Sequence, residues 1–206
     1  MPLPLDLWLI HPERDMCDAF RERFSGLPSV TILESRYENL PPHDCFITAA
    51  NSYGIMTAGI DAAVVRKHGE DLMLRIQHRI LNEHLGEQPI GTCLIEPTGN
   101  PEFPYIGHAP TMRVPSSIDG TDKVYAATWA ALVAVYRFNV ENGHPIRTVA
   151  FPAMGAGFGG VPYSEVARQM AAAYRHYLSP PHRLDWDTVI DRHKAISYDG
   201  PRQVVR

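Results

Sequence analysis

Short apolar runs alternate with segments of helical period along most of this chain, and that alternation constrains its fold more than any other feature. Residues 5–10, 30–33, 45–50, 92–95, 105–109 and 148–151 are brief, apolar and bounded by Pro, Gly or polar residues, as buried strands are. Between them the period changes. Met16, Phe20 and Phe24 recur every four residues, predicting a helix over 12–24. A helix over 60–67 and a second one marked by Leu72, Ile76 and Ile80 follow the third run. Val124, Ala131, Val135 and Phe138 line one face of a helix over 121–142. Val166, Met170, Ala173, Tyr174 and Tyr177 do the same for a helix opening near Pro162. Strands that alternate with helices predict an α/β sheet covered on both faces. The pattern weakens after Ser179. Residues 1–178 are therefore expected to form one domain, and 179–206 a proline-punctuated, partly ordered extension whose tail beyond Asp199 is loose.

The remaining composition mainly excludes. Nineteen basic against twenty-three acidic residues leave a charge of −4, which does not suggest a broad basic surface for duplex DNA. No apolar run is long enough to span a bilayer, and no basic segment precedes the apolar start, so neither a membrane partner nor a secretory signal is expected. Three cysteines (Cys17, Cys45 and Cys93) without CxxC spacing point to reduced thiols in a cytoplasmic setting. The histidines show no zinc spacing, and no metal or cofactor is expected.

Two glycine-bearing loops follow predicted strands, where ligands of open α/β sheets bind. The later one, 152–161, holds Gly155, Gly157, Gly159 and Gly160 ahead of Pro162. Backbone N–H groups lacking Cβ neighbours can close on an anion, and a following helix start adds attraction for phosphate. No Gly-Lys-Ser/Thr follows, so this is not a nucleotide-triphosphate loop. It also comes too late in the chain for a dinucleotide fingerprint. The earlier loop runs from Asn51 to Asp61 with Gly54 and Gly59 between them. The Asn51 amide suits a sugar hydroxyl, or else its own loop backbone; Asp61 suits a hydroxyl or a water, or else a helix cap.

Together the two loops resemble those of the macro domain family. Thr48-Ala-Ala-Asn51 stands where that family has a strand ending Asn-Ala-Ala-Asn, and Asp61 keeps the family's spacing from it. Pro152-Ala153 and Gly155 to Gly160 match its phosphate loop, and Tyr105-Ile-Gly-His-Ala-Pro110 its histidine-bearing strand. The resemblance implies a three-layer αβα sandwich around a mixed, about six-stranded sheet, with ADP-ribose in a strand-end cleft. By position, Asn51 contacts the distal ribose, with Ala50, Gly59, Ile60 and Asp61 lining the same end. Gly155, Ala156, Gly157, Phe158, Gly159 and Gly160 wrap the diphosphate, and Glu38 takes the place of the acidic residue that reads the adenine amine.

The departures bear on activity. Thr48 replaces the first Asn of the motif, and Met56-Thr57-Ala58-Gly59 thins its glycine run. Val65 stands where one hydrolase branch has a His, and Met112 near where another has a Lys. The implied function is binding of ADP-ribose, or of an ADP-ribosyl group on a protein or metabolite. Hydrolysis of mono-ADP-ribosyl or O-acetyl-ADP-ribose linkages through Asn51 and Asp61 is a further implication. The alternative is a non-catalytic reader of the same group. Arg66, Lys67, His68, Arg75, His78 and Arg79 could form a patch for nucleic acid, but a solvated helix face is the reading preferred here.

Overall fold

A computed structural model describes residues 5–197. Six strands form one sheet: β1 (Asp6–His11), β2 (Val30–Glu34), β3 (Cys45–Asn51), β4 (Leu94–Pro97), β5 (Tyr105–Met112) and β6 (Thr148–Pro152). Their order is β2-β1-β6-β3-β5-β4. All neighbours are parallel except β4, which runs antiparallel to β5 at one edge. The mixed sheet and its two covered faces give the expected αβα sandwich.

Alternation along the strands divides the interior in two. Leu7, Leu9, Cys45, Ile47, Val149 and Phe151 face one side. They pack against α1 (Arg14–Arg23), α4 (Lys123–Asn142) and α5 (Tyr163–Leu178), through residues such as Phe20, Val135 and Met170. Ile10, Phe46, Ile106 and Ala150 face the other side. There they meet α2 (Gly59–His68) and α3 (Glu70–Glu83) through Val64, Leu72, Ile76 and Ile80. Parallel strands need crossovers, and helices on both faces are how such sheets are buried.

Two stretches differ from expectation. β5 does not stop at Ala109 but runs through Pro110 to Met112. The ladder tolerates the proline because it shifts there: Ala50 pairs with Pro110 and Asn51 with Met112, leaving Thr111 as an extra residue. The partly ordered extension expected after Ser179 holds a helix that the pattern did not indicate, α6 (Trp186–Ile196). Asp185 caps it by accepting from the Thr188 N–H at 2.9 Å. None of its residues is fully buried, and only the partly buried Ile196 packs against the core, so the apolar stripe that marks it in the sequence is short. The expected loose tail after Asp199 lies outside the described residues.

Side chains fasten strand starts as well as strand faces. Asn139 of α4 is buried; it donates to the Ile146 carbonyl at 2.7 Å and accepts from the Ile146 N–H at 2.9 Å. Asp44 accepts from the N–H groups of Arg147 and Thr148 at 2.7 and 2.8 Å. These bonds set the register in which β6 enters the sheet. Asn139→Ala leaves both polar groups of the buried Ile146 without a partner, which is expected to cost about 2–4 kcal/mol of stability. Urea unfolding of the variant checks it.

Candidate functional site

The carboxyl ends of the five parallel strands share one edge of the sheet, and a cleft of about 740 Å³ opens there. That volume suits an organic ligand of nucleotide size. Its walls come from the ends of β1 (Ile10 to Pro12), β2 (Ser35 to Glu38), β3 (Ala49 to Asn51) and β5 (Thr111, Met112). The two glycine-bearing loops and the start of α2 complete it. Of the residues singled out from sequence, Glu38, Ala50, Asn51, Gly59, Ile60, Asp61, Gly155, Ala156, Gly157, Phe158 and Gly159 all line this cleft. Gly160 does not: its N–H donates to the Gly157 carbonyl at 3.0 Å and closes the turn behind it.

The late loop presents amides because its turns use only some of them. Ala156 N–H donates to Ala153 and Val161 N–H to Gly155. Among the described residues, no protein acceptor is found for the N–H groups of Gly157, Phe158 and Gly159. Two glycines are obligatory here. Gly155 has φ +81°, and a Cβ on Gly159 would fall 2.3 Å from the Gly155 carbonyl oxygen. Gly157 is different, since a Cβ there meets open space. The carbonyl of Gly159 accepts from the Ile118 N–H at 2.9 Å, which ties the loop to the segment leading into α4. The Phe158 ring reaches across to α2, 3.6 Å from where a Cβ on Gly59 would stand.

The earlier loop is organised by Asn51. Its Nδ2 donates to the Ile55 carbonyl at 2.7 Å, and its Oδ1 accepts from the N–H groups of Tyr53 and Ile55 at 3.0 and 3.3 Å. Asn51 thus bonds its own loop backbone while standing in the cleft wall. Asp61 does not cap α2, whose N-cap position is Ala58. Its buried carboxyl instead accepts a hydrogen bond from Thr48, the residue that replaces asparagine in the motif. Burial pushes the Asp61 pKa up to about 7, against the opposing effect of the Thr48 hydroxyl.

Glu38 sits in a 3-10 turn, Tyr37–Asn39, and receives Arg66 of α2 at 3.1 Å. Its carboxyl is held below its ordinary pKa, first by a hydrogen bond from its own backbone N–H and then by Arg66. Tyr37 beneath it is buried, with its hydroxyl 2.7 Å from His68 Nε2. Other cations of the suspected patch are also partnered. Arg75 and Arg79 meet Glu96, and the Lys67 ammonium lies 3.3 Å from the centroid of the Phe103 ring. Sequence reasoning missed His11, Ser35, Arg36 and Arg66 as cleft residues. The signal for the first three was the rule already applied to β3 and β6, that ligands lie beyond strand ends. Arg66 enters only because α2 lies against the turn at Tyr37.

The family model described as Macro domain matches residues 47–170, more than half of the chain. The chain belongs to the macro domain family. An uncharacterized protein of Aquifex aeolicus is 31% identical over 134 residues, covering 65% of this chain and 74% of the relative. A macro domain-containing protein of Listeria monocytogenes is 26% identical over 160 residues, covering 76% and 82%. Among solved structures, a variant Oceanobacillus iheyensis macrodomain with ADPR superimposes with TM-score 0.56 at 21% identity, covering 67% of this chain and 72% of that one. The macrodomain of Mycobacterium tuberculosis DarG gives 0.55 at 21% identity, covering 69% and 88%. These two share the fold.

The Asp61 carboxyl makes stability depend on pH in a definite direction. Its ordinary pKa is 3.8 and its folded value about 7, so between them the native state holds a proton that the unfolded chain has released. The stability it contributes is full below pH 4 and is lost as pH rises to about 7. Asp61→Asn keeps a partner for Thr48 and removes the titration. The variant should gain about 2–3 kcal/mol relative to the parent between pH 5 and pH 8. Urea unfolding of both proteins at the two pH values measures it.

Proposed function

We propose that the strand-end cleft of this macro domain binds ADP-ribose, free or attached to a protein or metabolite, and hydrolyses the linkage at its terminal ribose. One observation carries the binding half. The unpartnered amides of Gly157, Phe158 and Gly159 and the start of α2 line one cleft of about 740 Å³. Amides and a helix N-terminus favour an anion between them, and a diphosphate fits that chemistry. Asn51 keeps its second Nδ2 hydrogen for a ribose hydroxyl, since one suffices for Ile55. Glu38 offers a carboxylate to the exocyclic amine of adenine. The Oceanobacillus iheyensis macrodomain structures with ADPR and with ADP are consistent with this assignment.

The hydrolytic half rests on Asp61. A carboxyl with a pKa of about 7 in the cleft wall can take a proton from a water near neutral pH. That water would attack the anomeric carbon, breaking its bond to the leaving carboxylate, or the ester carbonyl in an O-acetyl substrate. Two observations favour the alternative, a non-catalytic reader. The Asp61 carboxyl is already engaged by Thr48, and Val65 and Met112 stand where hydrolase branches carry His and Lys.

Calorimetric titration with ADP-ribose, AMP and NAD tests binding, and ADP-ribose is expected to bind at least tenfold tighter than the other two. Gly157→Val, which the loop accommodates, should weaken ADP-ribose binding at least tenfold by filling the cradle. Release of ADP-ribose from a mono-ADP-ribosylated protein tests catalysis: Asp61→Asn should abolish turnover while changing affinity no more than a few-fold. A parent protein that binds but releases nothing leaves the reader.

A further inference from the structure

Three large apolar side chains stand exposed at the mouth of the cleft: Ile55 at 54%, Val114 at 54% and Phe158 at 62%. Each comes from a different loop, yet the loops are tied together. Asn51 holds the Ile55 N–H and carbonyl at once. Ser52, the next residue, donates its N–H to the carbonyls of Met112 and Arg113, immediately before Val114. Beyond Val114, Ser117 Oγ and Ile118 N–H donate to the carbonyl of Gly159, the residue after Phe158. Hydrogen bonds thus tie Ile55 through Asn51 and Ser52 to Arg113, and the segment that follows Val114 through Ile118 to Gly159 beside Phe158. The three side chains line the same cleft as Asn51 and Asp61, with the Phe158 ring against Gly59 at the start of α2.

An apolar side chain held in water on a fixed backbone loses the burial that would stabilise the free protein, and such groups clustered around a pocket mark a binding surface. The strong charges beside this rim are matched within the protein. Arg113 donates to both carboxylate oxygens of Glu87, at 2.6 and 2.9 Å, and the Tyr53 hydroxyl donates to the same carboxylate at 3.2 Å. Nothing in that arrangement reaches out for a charged group.

We infer that the rim of Ile55, Val114 and Phe158 is a subsite for an uncharged apolar substituent carried on the terminal ribose of the ligand. The inference rests on the ADP-ribose reading of the cleft and narrows it. It selects ADP-ribosyl derivatives whose attached group is aliphatic or aromatic over those presenting a free carboxylate. Ile55 and Val114 supply the discrimination.

Two ether derivatives of ADP-ribose substituted at the terminal ribose, benzyl and carboxymethyl, provide the probes, with unsubstituted ADP-ribose as reference. In calorimetry the benzyl ether should bind about tenfold tighter than ADP-ribose, and the carboxymethyl ether no tighter. The double variant Ile55→Ser, Val114→Ser should bind the benzyl ether and ADP-ribose equally, with its ADP-ribose affinity within about twofold of the parent. A benzyl ether that gains nothing over ADP-ribose, or a gain that survives the double variant, overturns the subsite and leaves ADP-ribose binding standing. Failure of ADP-ribose itself to bind overturns the cleft assignment and the subsite with it.

Discussion

Parallel pairing is the constraint on which the rest of this molecule depends. A parallel strand cannot return by a tight turn, so β1, β2, β6, β3 and β5 need crossovers that travel over the sheet faces. The crossovers supply the two helical layers, and those layers require the strands to be apolar on both faces. The same geometry gathers five carboxyl ends at one edge. There no further strand consumes the backbone polar groups, and the loops are free to be shaped by something other than packing. The antiparallel β4 lies at the far edge beside β5 and contributes no residue to the cleft.

Chemistry within the cleft follows from how each loop satisfies its own backbone. The late loop closes three backbone bonds and leaves the amides of Gly157, Phe158 and Gly159, all in the cleft wall, without a protein acceptor among the described residues, with Gly155 and Gly159 in positions that a side chain would spoil. The early loop is shaped differently: one side chain, Asn51, bonds the backbone of Tyr53 and Ile55 and fixes the first half of the loop, ahead of the start of α2. Between them, Thr48 and Asp61 form a buried polar contact beneath the start of α2. A carboxyl in the first turn of a helix would ordinarily be favoured in its charged form by the dipole. Here loss of solvent is the larger effect, and the acid keeps its proton up to about neutral pH.

Most of the framework was legible because burial imposes a period. Each strand buried on two faces read as an apolar run, and each helix with one buried face read as a stripe. The two failures have the same cause from opposite directions. α6 has no fully buried residue and meets the core only through the partly buried Ile196, so its apolar stripe is short and the Asp185 cap, three residues before Thr188, is the clearer mark. β5 continued past Pro110 because the ladder shifts there and leaves Thr111 as an extra residue, and a bulge leaves no period to follow. In the cleft, residues next to a recognisable motif were found. His11, Ser35 and Arg36, which line it only through the topology of β1 and β2, were not. The amide of Gly160 shows the limit of reading a glycine run as one unit, because it serves the turn rather than the space in front of it.

The way Asn51 grips its loop also has an entropic consequence. A loop without such a clamp would sample many conformers, and a ligand would have to freeze them on arrival, at about 1–2 kcal/mol per residue. With Tyr53 and Ile55 already fixed by one amide, that ordering is completed when the chain folds. The ligand then meets a surface whose shape it selects for rather than induces, and recognition draws on fit instead of on rearrangement.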